Sequence, residues 1–498
     1  MRRLCRYAGV ASLALVIVFF GPQVVAADVR YSELNVSRQR ETLVLTLDDA
    51  IALAVRDNRG IQTAYLQRIA QKFDLYVSEG KFLPKLTLTT GVLDNKVNGL
   101  SSRTKDIAST ATLGLPTGAK LSLSTTNGLG SSSSNSSITS VTLTQPLLKS
   151  GGLDANTASV RVARLDEQIN RLTLKATLSQ TVTQVVSAYR ELLRAQEQRM
   201  IAEAALQRSK DLYQVNKALI STGRMAEVEI FQTEAEIANR EVALEEAENQ
   251  IDASRLALLN LLALEPRTPV VAVGTKDVRL RGADLAQALT TALANQPDFL
   301  IAQLQSERAK INLDYAKNQQ LWDLSLVAGK TQSRGASGGF GSVDTTQTST
   351  QKNDTSYAGI QLTIPLGDRS IEQATVRASV DLKSQNLRVS ETRQIVEQRI
   401  RDAVRNVQTR WRQLELSGKA RELSLLKLKA EKEKLQVGRS SNFQILSFEN
   451  DLRNAENGRV NAEIAYLNAL TDLDERMGKT LEVWNIPIAE PELANYEY

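Results

Sequence analysis

Glutamates recur every seven residues in two parts of the chain, and their carboxylates are the groups whose spacing could do chemistry. The recurring residues are Glu227, Glu234, Glu241 and Glu248 in the first part and Glu449, Glu456 and Glu463 in the second. Side chains seven residues apart lie on one face of a helix, so the sequence predicts an acidic row on each of two helices.

Two interpretations of these rows stay open. In the first, the glutamates line a water-filled passage, where they would favour the entry of cations and weaken that of anions. On a solvated face, they would form salt bridges with nearby arginines, for which the candidates are Arg240, Arg255, Arg453 and Arg459.

The rest of the composition excludes most other chemistry. The 498 residues include no histidine and a single cysteine, Cys5. Ser-His-Asp triads, Cys-His dyads and His-ligated metal sites are therefore excluded, as are disulfide frameworks and Cys-rich zinc sites. A carboxylate-based hydrolase is compatible with the composition, but heptad-patterned helices offer no pocket of convergent acids. We predict no catalytic, cofactor-binding or metal-binding residues.

Residues 1–27 have the layout of a secretory signal peptide: a basic start, a short apolar run from Ala8 to Phe20, and small residues before the expected cleavage site. Removing this segment lowers the formal net charge from +5 to +2, with 58 basic against 56 acidic residues. Such a charge gives no reason to expect a nucleic-acid partner.

Glycine and proline are scarce in two long stretches, which therefore predict very long helices. The first runs from Leu153 to about Ile220 and the second from Arg369 to about Lys434, each roughly 100 Å long. A shorter helix follows each of them after a turn glycine, Gly223 or Gly438. The interval between these glycines equals that between the two acidic rows, which indicates a duplication.

The same order of elements occurs twice: helix, strands, very long helix, turn, helix. The expected units are a signal peptide (1–27), a first repeat (28–264), a linker (265–282), a second repeat (283–478) and a C-terminal tail (479–498). In each repeat the shorter helices add up to about the length of the long one. Each repeat should therefore hold two helical columns of equal height, and the chain four.

The helix after Gly223 carries two apolar heptad lines, one starting at Ile230 and the other at Val228. The lines point in nearly opposite directions, so this helix should contact a neighbour on each side. Walls built from such helices close into tubes.

Two segments rich in Ser and Thr, at about 84–147 and 322–366, alternate apolar and polar residues as strands do. Apolar residues outward and small polar residues inward are typical of a membrane barrel. The Gly-Ser-rich pieces 128–137 and 335–342 are expected to be loops at the barrel tips or flexible linkers. Residues 115–118, Leu-Pro-Thr-Gly, indicate an extra turn in the first half only, and whether it adds a full hairpin stays open.

This ordered set resembles the TolC-like outer-membrane efflux proteins, also called outer membrane factors. The resemblance runs from about Leu45 to Gly478 and includes Gln145-Pro146-Leu147 and Ile364-Pro365-Leu366 before the long helices. It implies an all-α fold with a membrane β-barrel. Such a protein is a homotrimer in which each chain gives four strands to a shared 12-stranded barrel and four columns to a periplasmic tunnel.

The resemblance further implies that the protein is not an enzyme. It would lie in lipid of the cell outer membrane as the exit duct of a tripartite efflux or type I secretion system. The expected partners are a periplasmic adaptor protein and an inner-membrane transporter. Family members contact the adaptor at the tunnel tip, which corresponds here to Thr222, Gly223, Arg224, Val437, Gly438 and Arg439.

The gate departs from the family pattern. Family members place acidic residues six and nine positions after the second turn glycine, where this chain has Gln444 and Ser447. Glu229, six positions after Gly223, is the only acid at the equivalent sites of the first repeat. These three residues mark the gate region, and a wider or differently latched closure is expected.

Two other functions stay open at this point. A passive porin-like channel would not need roughly 100 Å of helix in each repeat. A structural periplasmic coiled-coil protein would not need two strand segments at matching positions.

Overall fold

The computed structural model describes residues 43–97, 100–130, 135–274, 279–282, 284–336, 350–437 and 439–488, so the predicted signal peptide lies outside it. Within these ranges the helices are α1 (Leu47–Asp57), α2 (Arg59–Glu79), α3 (Leu153–Ser221), α4 (Val228–Leu261), α5 (Leu285–Asn295), α6 (Pro297–Gln319), α7 (Ser370–Gln436), α8 (Asn442–Arg476) and α9 (Thr480–Val483). The strands are β1 (Leu43–Leu45), β2 (Lys85–Val97), β3 (Leu100–Gly114), β4 (Lys120–Gly130), β5 (Asn135–Pro146), β6 (Val270–Ala272), β7 (Asp323–Ala336) and β8 (Thr350–Thr363).

Local capping fixes where the first helices begin and end. The Thr46 hydroxyl accepts a hydrogen bond from Asp49 N–H (3.2 Å), and the Asp49 carboxylate accepts one from Thr46 N–H (3.3 Å), which forms a capping box before α1. Asn58 ends α1, and its side chain caps α2. Pro297 occupies the first turn of α6, where it needs no N–H partner. Local sequence signals thus account for the breaks between α1 and α2 and between α5 and α6.

The long helices form a row of four columns. Along its first half α3 packs against α2 and α6, and along its second half against α4 and α8. Helix α7 packs against α6 and then α8. The order across the row is therefore α2 and α4, then α3, then α6 and α8, then α7. With 69 residues α3 is about 100 Å long, and the 67-residue α7 is similar. None of the helices in the described ranges has the length and hydrophobicity that a transmembrane helix requires.

The largest core cluster lies midway along the columns. There the short parallel pair β1 and β6 covers apolar residues of α3 such as Leu178, Val182 and Val185, all fully buried. The segment expected to be only a linker thus contains β6, which joins it to the start of the first repeat.

Tyr189 of α3 links this small sheet to the helix through hydrogen bonds. Its hydroxyl lies 2.8 Å from the Leu45 carbonyl and 2.9 Å from that of Val273, and it accepts a hydrogen bond from Val273 N–H (3.0 Å). Burial raises the pKa of the Tyr189 phenol above its usual value of 10, so the group is neutral at physiological pH.

Replacing Tyr189 by Phe should lower the free energy of unfolding by about 1–2 kcal/mol, because buried backbone groups lose a partner. Tyr213→Phe is the matched control, since the Tyr213 hydroxyl donates an exposed 3.3 Å hydrogen bond to Glu234. Chemical denaturation in detergent, followed by circular dichroism, measures both. Equal midpoints for the two variants would contradict the structural role of Tyr189.

Six strands form one antiparallel sheet in the described part of the chain, in the order β2, β3, β4, β5, β7, β8. Pairs such as Leu121 with Leu143 and Leu326 with Ile360 lie directly opposite each other on one face. The other face carries Ser and Thr, for example Ser122 opposite Thr142. The alternation predicted from the sequence thus gives a sheet with one apolar and one polar face.

The sheet of one chain has six strands in the described residues, two more than the four that the family resemblance implies. The Leu115–Ala119 turn is closed by hydrogen bonds from Leu115 N–H to the Ala119 carbonyl (2.8 Å) and from Gly118 N–H to the Leu115 carbonyl (2.9 Å). Gly118 has a φ of 95°, a conformation that favours glycine. This turn connects β3 to β4, so the first half of the chain adds a complete hairpin.

Residues at the ends of the two Gly-Ser-rich pieces belong to strands rather than loops. Gly128 and Gly335 each pair with Ser136 across adjacent strands, so these residues extend the sheet. The rest of both predicted loops, residues 131–134 and 337–342, lies outside the described residues.

Candidate functional site at the helical tip and the acidic rows

The first tip turn follows α3 and is shaped by Gly223. Arg224 N–H donates to the Leu219 carbonyl (2.9 Å) and Gly223 N–H to the Ile220 carbonyl (2.9 Å), which is the Schellman pattern. Gly223 has a φ of 70°, the left-handed conformation that this pattern requires. Thr222, Gly223 and Arg224 are all exposed.

The second tip turn has the same hydrogen bond at the same place. Arg439 N–H donates to the Lys434 carbonyl (2.9 Å), which corresponds to the Arg224 bond. Gly438 itself lies outside the described residues, and its neighbours Val437 and Arg439 are exposed. Among the described residues neither the Arg224 nor the Arg439 guanidinium has an ion-pair partner. Both turns therefore present a free cation.

A buried polar cluster lies directly behind the turns and joins three helices. The Asn216 side-chain amide donates to Thr233 Oγ1 and to Asn442 Oδ1, both at 2.8 Å. Asn442 also donates to the Glu229 carbonyl (3.3 Å). Asn216, Thr233 and Asn442 are at most 1% exposed. Sequence reasoning missed this cluster, since Asn and Thr are equally common on the exposed helix faces.

The predicted gate residues lie beside this cluster. Glu229 is half-buried, and its Oε2 has no hydrogen-bond partner in the described part of the chain. Gln444 N–H donates to Ser441 Oγ (3.3 Å), the N-cap of α8, and Ser447 is half-buried one turn later. The polar cluster thus connects Glu229 to the start of α8, where Gln444 and Ser447 lie.

The acidic row of α4 is exposed and only loosely paired. Glu241 lies 3.5 Å from Lys210, and Glu248 lies 3.1 Å from Arg199. Their side chains are 56% and 47% exposed. Glu234 contacts Tyr213, and Glu227 occupies the N-cap position of α4 without capping it. This row keeps most of its contact with solvent.

The acidic row of α8 is buried and tightly paired. Arg208 of α3 donates to Glu449 (2.8 Å) and to Glu456 (3.3 Å), and Lys432 of α7 lies 2.6 Å from Glu449. The side chains of Glu449 and Glu456 are 6% and 15% exposed. Glu463, further along, lies 3.7 Å from Arg459. The two rows therefore have the same spacing but different surroundings.

The arginines expected to neutralise the rows mostly bind elsewhere. Arg240 is buried against Glu236 and donates to Asn450 (2.7 Å), and burial lowers its pKa. Arg255 pairs with Asp252, and Arg453 contacts Asn454. Arg459 is the exception. The main partners, Arg199, Arg208, Lys210 and Lys432, come from α3 and α7, whose register with the rows is not visible in the sequence.

Further buried charges join the two halves of the chain at the middle of the columns. Arg190 of α3 donates to Thr471 of α8 (2.8 Å), and burial lowers its pKa to about 10. Asp474 is paired with Arg281 (2.9 Å), yet burial raises its pKa. Arg190 is still charged at physiological pH, so these groups act as structural links.

The described residues contain no group of three or more Asp, Glu, Cys or His side chains that could hold a metal ion. The candidate functional site is a set of residues at the helical tip and along α4. It consists of the two tip turns, the polar cluster behind them and the exposed acidic row of α4.

Comparison with known proteins yields one family and a group of solved structures. Residues 50–264, somewhat under half of the chain, match the family model "Outer membrane efflux protein". No match is found among the curated proteins.

The fold resembles several solved outer-membrane channels at low sequence identity. The CmeC outer membrane channel of Campylobacter jejuni superposes with a TM-score of 0.66 at 15% identity, over 87% of this chain and 86% of CmeC. VceC of Vibrio cholerae gives 0.65 at 16% identity, over 87% and 96%. The open state of MtrE from Neisseria gonorrhoeae gives 0.64 at 16% identity, over 87% and 89%.

Proposed function

Because residues 50–264 form an outer membrane efflux protein domain, and that family consists of outer-membrane channels rather than enzymes, we propose that this chain forms an exit duct. The family match and the solved channels confirm two predictions from the sequence. These are the resemblance to TolC-like proteins and the location in the outer membrane. In our proposal three copies assemble into a duct that serves a tripartite efflux or type I secretion system. A periplasmic adaptor and an inner-membrane transporter would deliver the substrate.

One observation carries this proposal: helical columns about 100 Å long continue directly into a sheet with one apolar face. Exposed Leu88, Leu123 and Ile360 lie on that face. A porin-like channel needs no such columns, and a periplasmic coiled coil needs no apolar sheet face.

The outer columns support assembly into a ring. The second apolar line of α4 remains exposed within one chain, with Val228 63% and Val242 58% accessible. At the opposite end of the row, α7 exposes Val380, Leu387 and Leu423. Exposed apolar lines at both ends of a row are what neighbouring copies would bury.

We further propose that the adaptor contacts the tip through Thr222, Gly223, Arg224, Val437, Gly438 and Arg439. The exposed turns support this assignment, as do their two guanidinium groups, which have no ion-pair partner in the described part of the chain. Glu229, Gln444 and Ser447 would form the gate region, latched by the Asn216 cluster instead of an acidic ring.

The exposed acidic row of α4 leads to a prediction about ion selectivity. Changing Glu234, Glu241 and Glu248 together to Gln should move the cation-to-anion permeability ratio severalfold toward unity, because three negative charges per chain leave the passage. Planar-bilayer recordings in asymmetric KCl measure the ratio.

Glu265→Gln/Glu482→Gln is the control, since these exposed acids lie outside the four columns. An unchanged ratio in the triple variant would assign the row to a solvated outer face.

A further inference from the structure

The extra hairpin of β2 and β3 is a continuous part of the sheet. β2 pairs with β3 from Lys85 to Val97, and β3 pairs with β4 from Thr104 to Gly114. The pairing leaves no gap at which the hairpin would separate from the other four strands.

The hairpin also shares the two-faced character of the sheet. Leu86 and Leu88 of β2 are 77% and 67% exposed, and the register places them on the same face as Leu123 and Ile360. Thr87 lies on the opposite face, with Ser122 and Thr142. A hairpin resting against the outside of a barrel would not need to continue both faces in register.

The two edges of the sheet are complementary in direction. β2 follows α2 and runs away from the helices, whereas β8 runs back to α7, so the edge strands are antiparallel to each other. They have similar lengths, 13 and 14 residues. Within the described residues, β2 lacks a partner on its side away from β3, and β8 lacks one on its side away from β7. Such open edges require a partner in the outer membrane, and a second copy supplies one of the right direction.

We propose that β8 of each copy pairs with β2 of the next, so that three copies close an 18-stranded barrel instead of a 12-stranded one. The inference rests on the trimeric duct proposed above. With strands about 4.8 Å apart and tilted by about 40°, a 12-stranded barrel is about 24 Å across its backbone and an 18-stranded one about 36 Å. The outer opening is then about 1.5 times as wide as that of a 12-stranded barrel. It has a Ser- and Thr-rich wall and admits bulky hydrophilic cargo.

Disulfide cross-linking tests which strands close the barrel. Starting from Cys5→Ser, Leu88→Cys in β2 is combined in turn with Ala358→Cys, Ile360→Cys and Leu362→Cys in β8, which share its face. Within one chain these strands are five strand positions apart, roughly 24 Å, so a disulfide requires two copies. Oxidation in isolated outer membranes should convert most of the protein to covalent trimers for at least one pair.

Two control sets make the result interpretable. Leu123→Cys in β4 with the same three partners should give no cross-link, because β3 already occupies that edge. Leu326→Cys/Ile360→Cys, directly opposite in β7 and β8, should give a cross-linked monomer and so verify the oxidation.

The outcomes separate this inference from the proposed function. Native mass measurements that find trimers, together with β4–β8 products or with no β2–β8 product, would overturn the 18-stranded barrel and leave the duct standing. Native mass measurements that find only monomers would overturn both.

Discussion

Replacing both Arg224 and Arg439 by glutamate is expected to reduce export to the level of cells that lack the gene, with the assembled protein intact. Both side chains are exposed, directly follow a glycine in the sequence and have no ion-pair partner among the described residues. The double change reverses the charge at the surface where we place the adaptor, and like charges across an interface cost several kcal/mol. Intracellular accumulation of dyes that the wild-type gene is first shown to remove measures export.

Arg59→Glu/Arg267→Glu is the matched control for this experiment. It makes the same change in charge at two exposed arginines, one in α2 and one after α4, away from the tip. Control cells should export normally. Full export by the tip variant, at wild-type protein levels, would refute the docking assignment.

Arg68→Met is expected to lower the free energy of unfolding by about 3 kcal/mol, a large effect for one side chain. Arg68 of α2 is 2% exposed and binds Glu167 of α3 through both terminal nitrogens, one of them at 2.6 Å. Removing the guanidinium leaves the Glu167 carboxylate, 20% exposed, without its partner. Denaturation in detergent, followed by circular dichroism, measures the loss.

Two further variants separate the ion pair from the shape of the side chain. Arg59→Met changes an exposed arginine of the same helix and should alter stability by less than about 0.5 kcal/mol. Arg68→Met/Glu167→Leu removes both charges and should recover most of the loss. If the double variant were less stable than the single one, an unpaired buried charge could not explain the effect.

The helical part of the fold could be predicted from the sequence because its signals are local. Scarce Gly and Pro predict the two long helices, and the structure places the ends of α3 and α7 within a few residues of the expected positions. The Thr46–Asp49 capping box and Pro297 fix the starts of α1 and α6 in the same local way. Equal column heights follow from helix length alone. Gly223 was recognisable for the same reason, since the left-handed end of a helix favours glycine.

The number of strands depends on weaker signals. β3 carries the charged residues Arg103, Lys105 and Asp106 and lacks a regular alternation of apolar and polar residues, so its sequence does not predict a strand. Its stability comes from pairing on both sides, with β2 and β4, which is a tertiary effect. The Leu115–Ala119 turn could be predicted from the sequence, but the strand before it, β3, could not.

The acidic rows show what spacing cannot decide. Glu241 and Glu456 occupy equivalent positions in the two rows, each seven residues from the next glutamate. Glu241 is exposed, whereas Glu456 is mostly buried and paired with Arg208. The difference arises because α8 lies between two columns, α3 and α7, whereas α4 lies at the end of the row. The order of helices in the row is a tertiary property that heptad spacing does not contain.

Electron cryomicroscopy of the detergent-extracted protein tests the trimeric duct most directly. We predict particles with three-fold symmetry and a hollow stalk about 100 Å long, walled by 12 helical columns and joined to a barrel. Solid rods, or monomers without a central passage, would contradict the account.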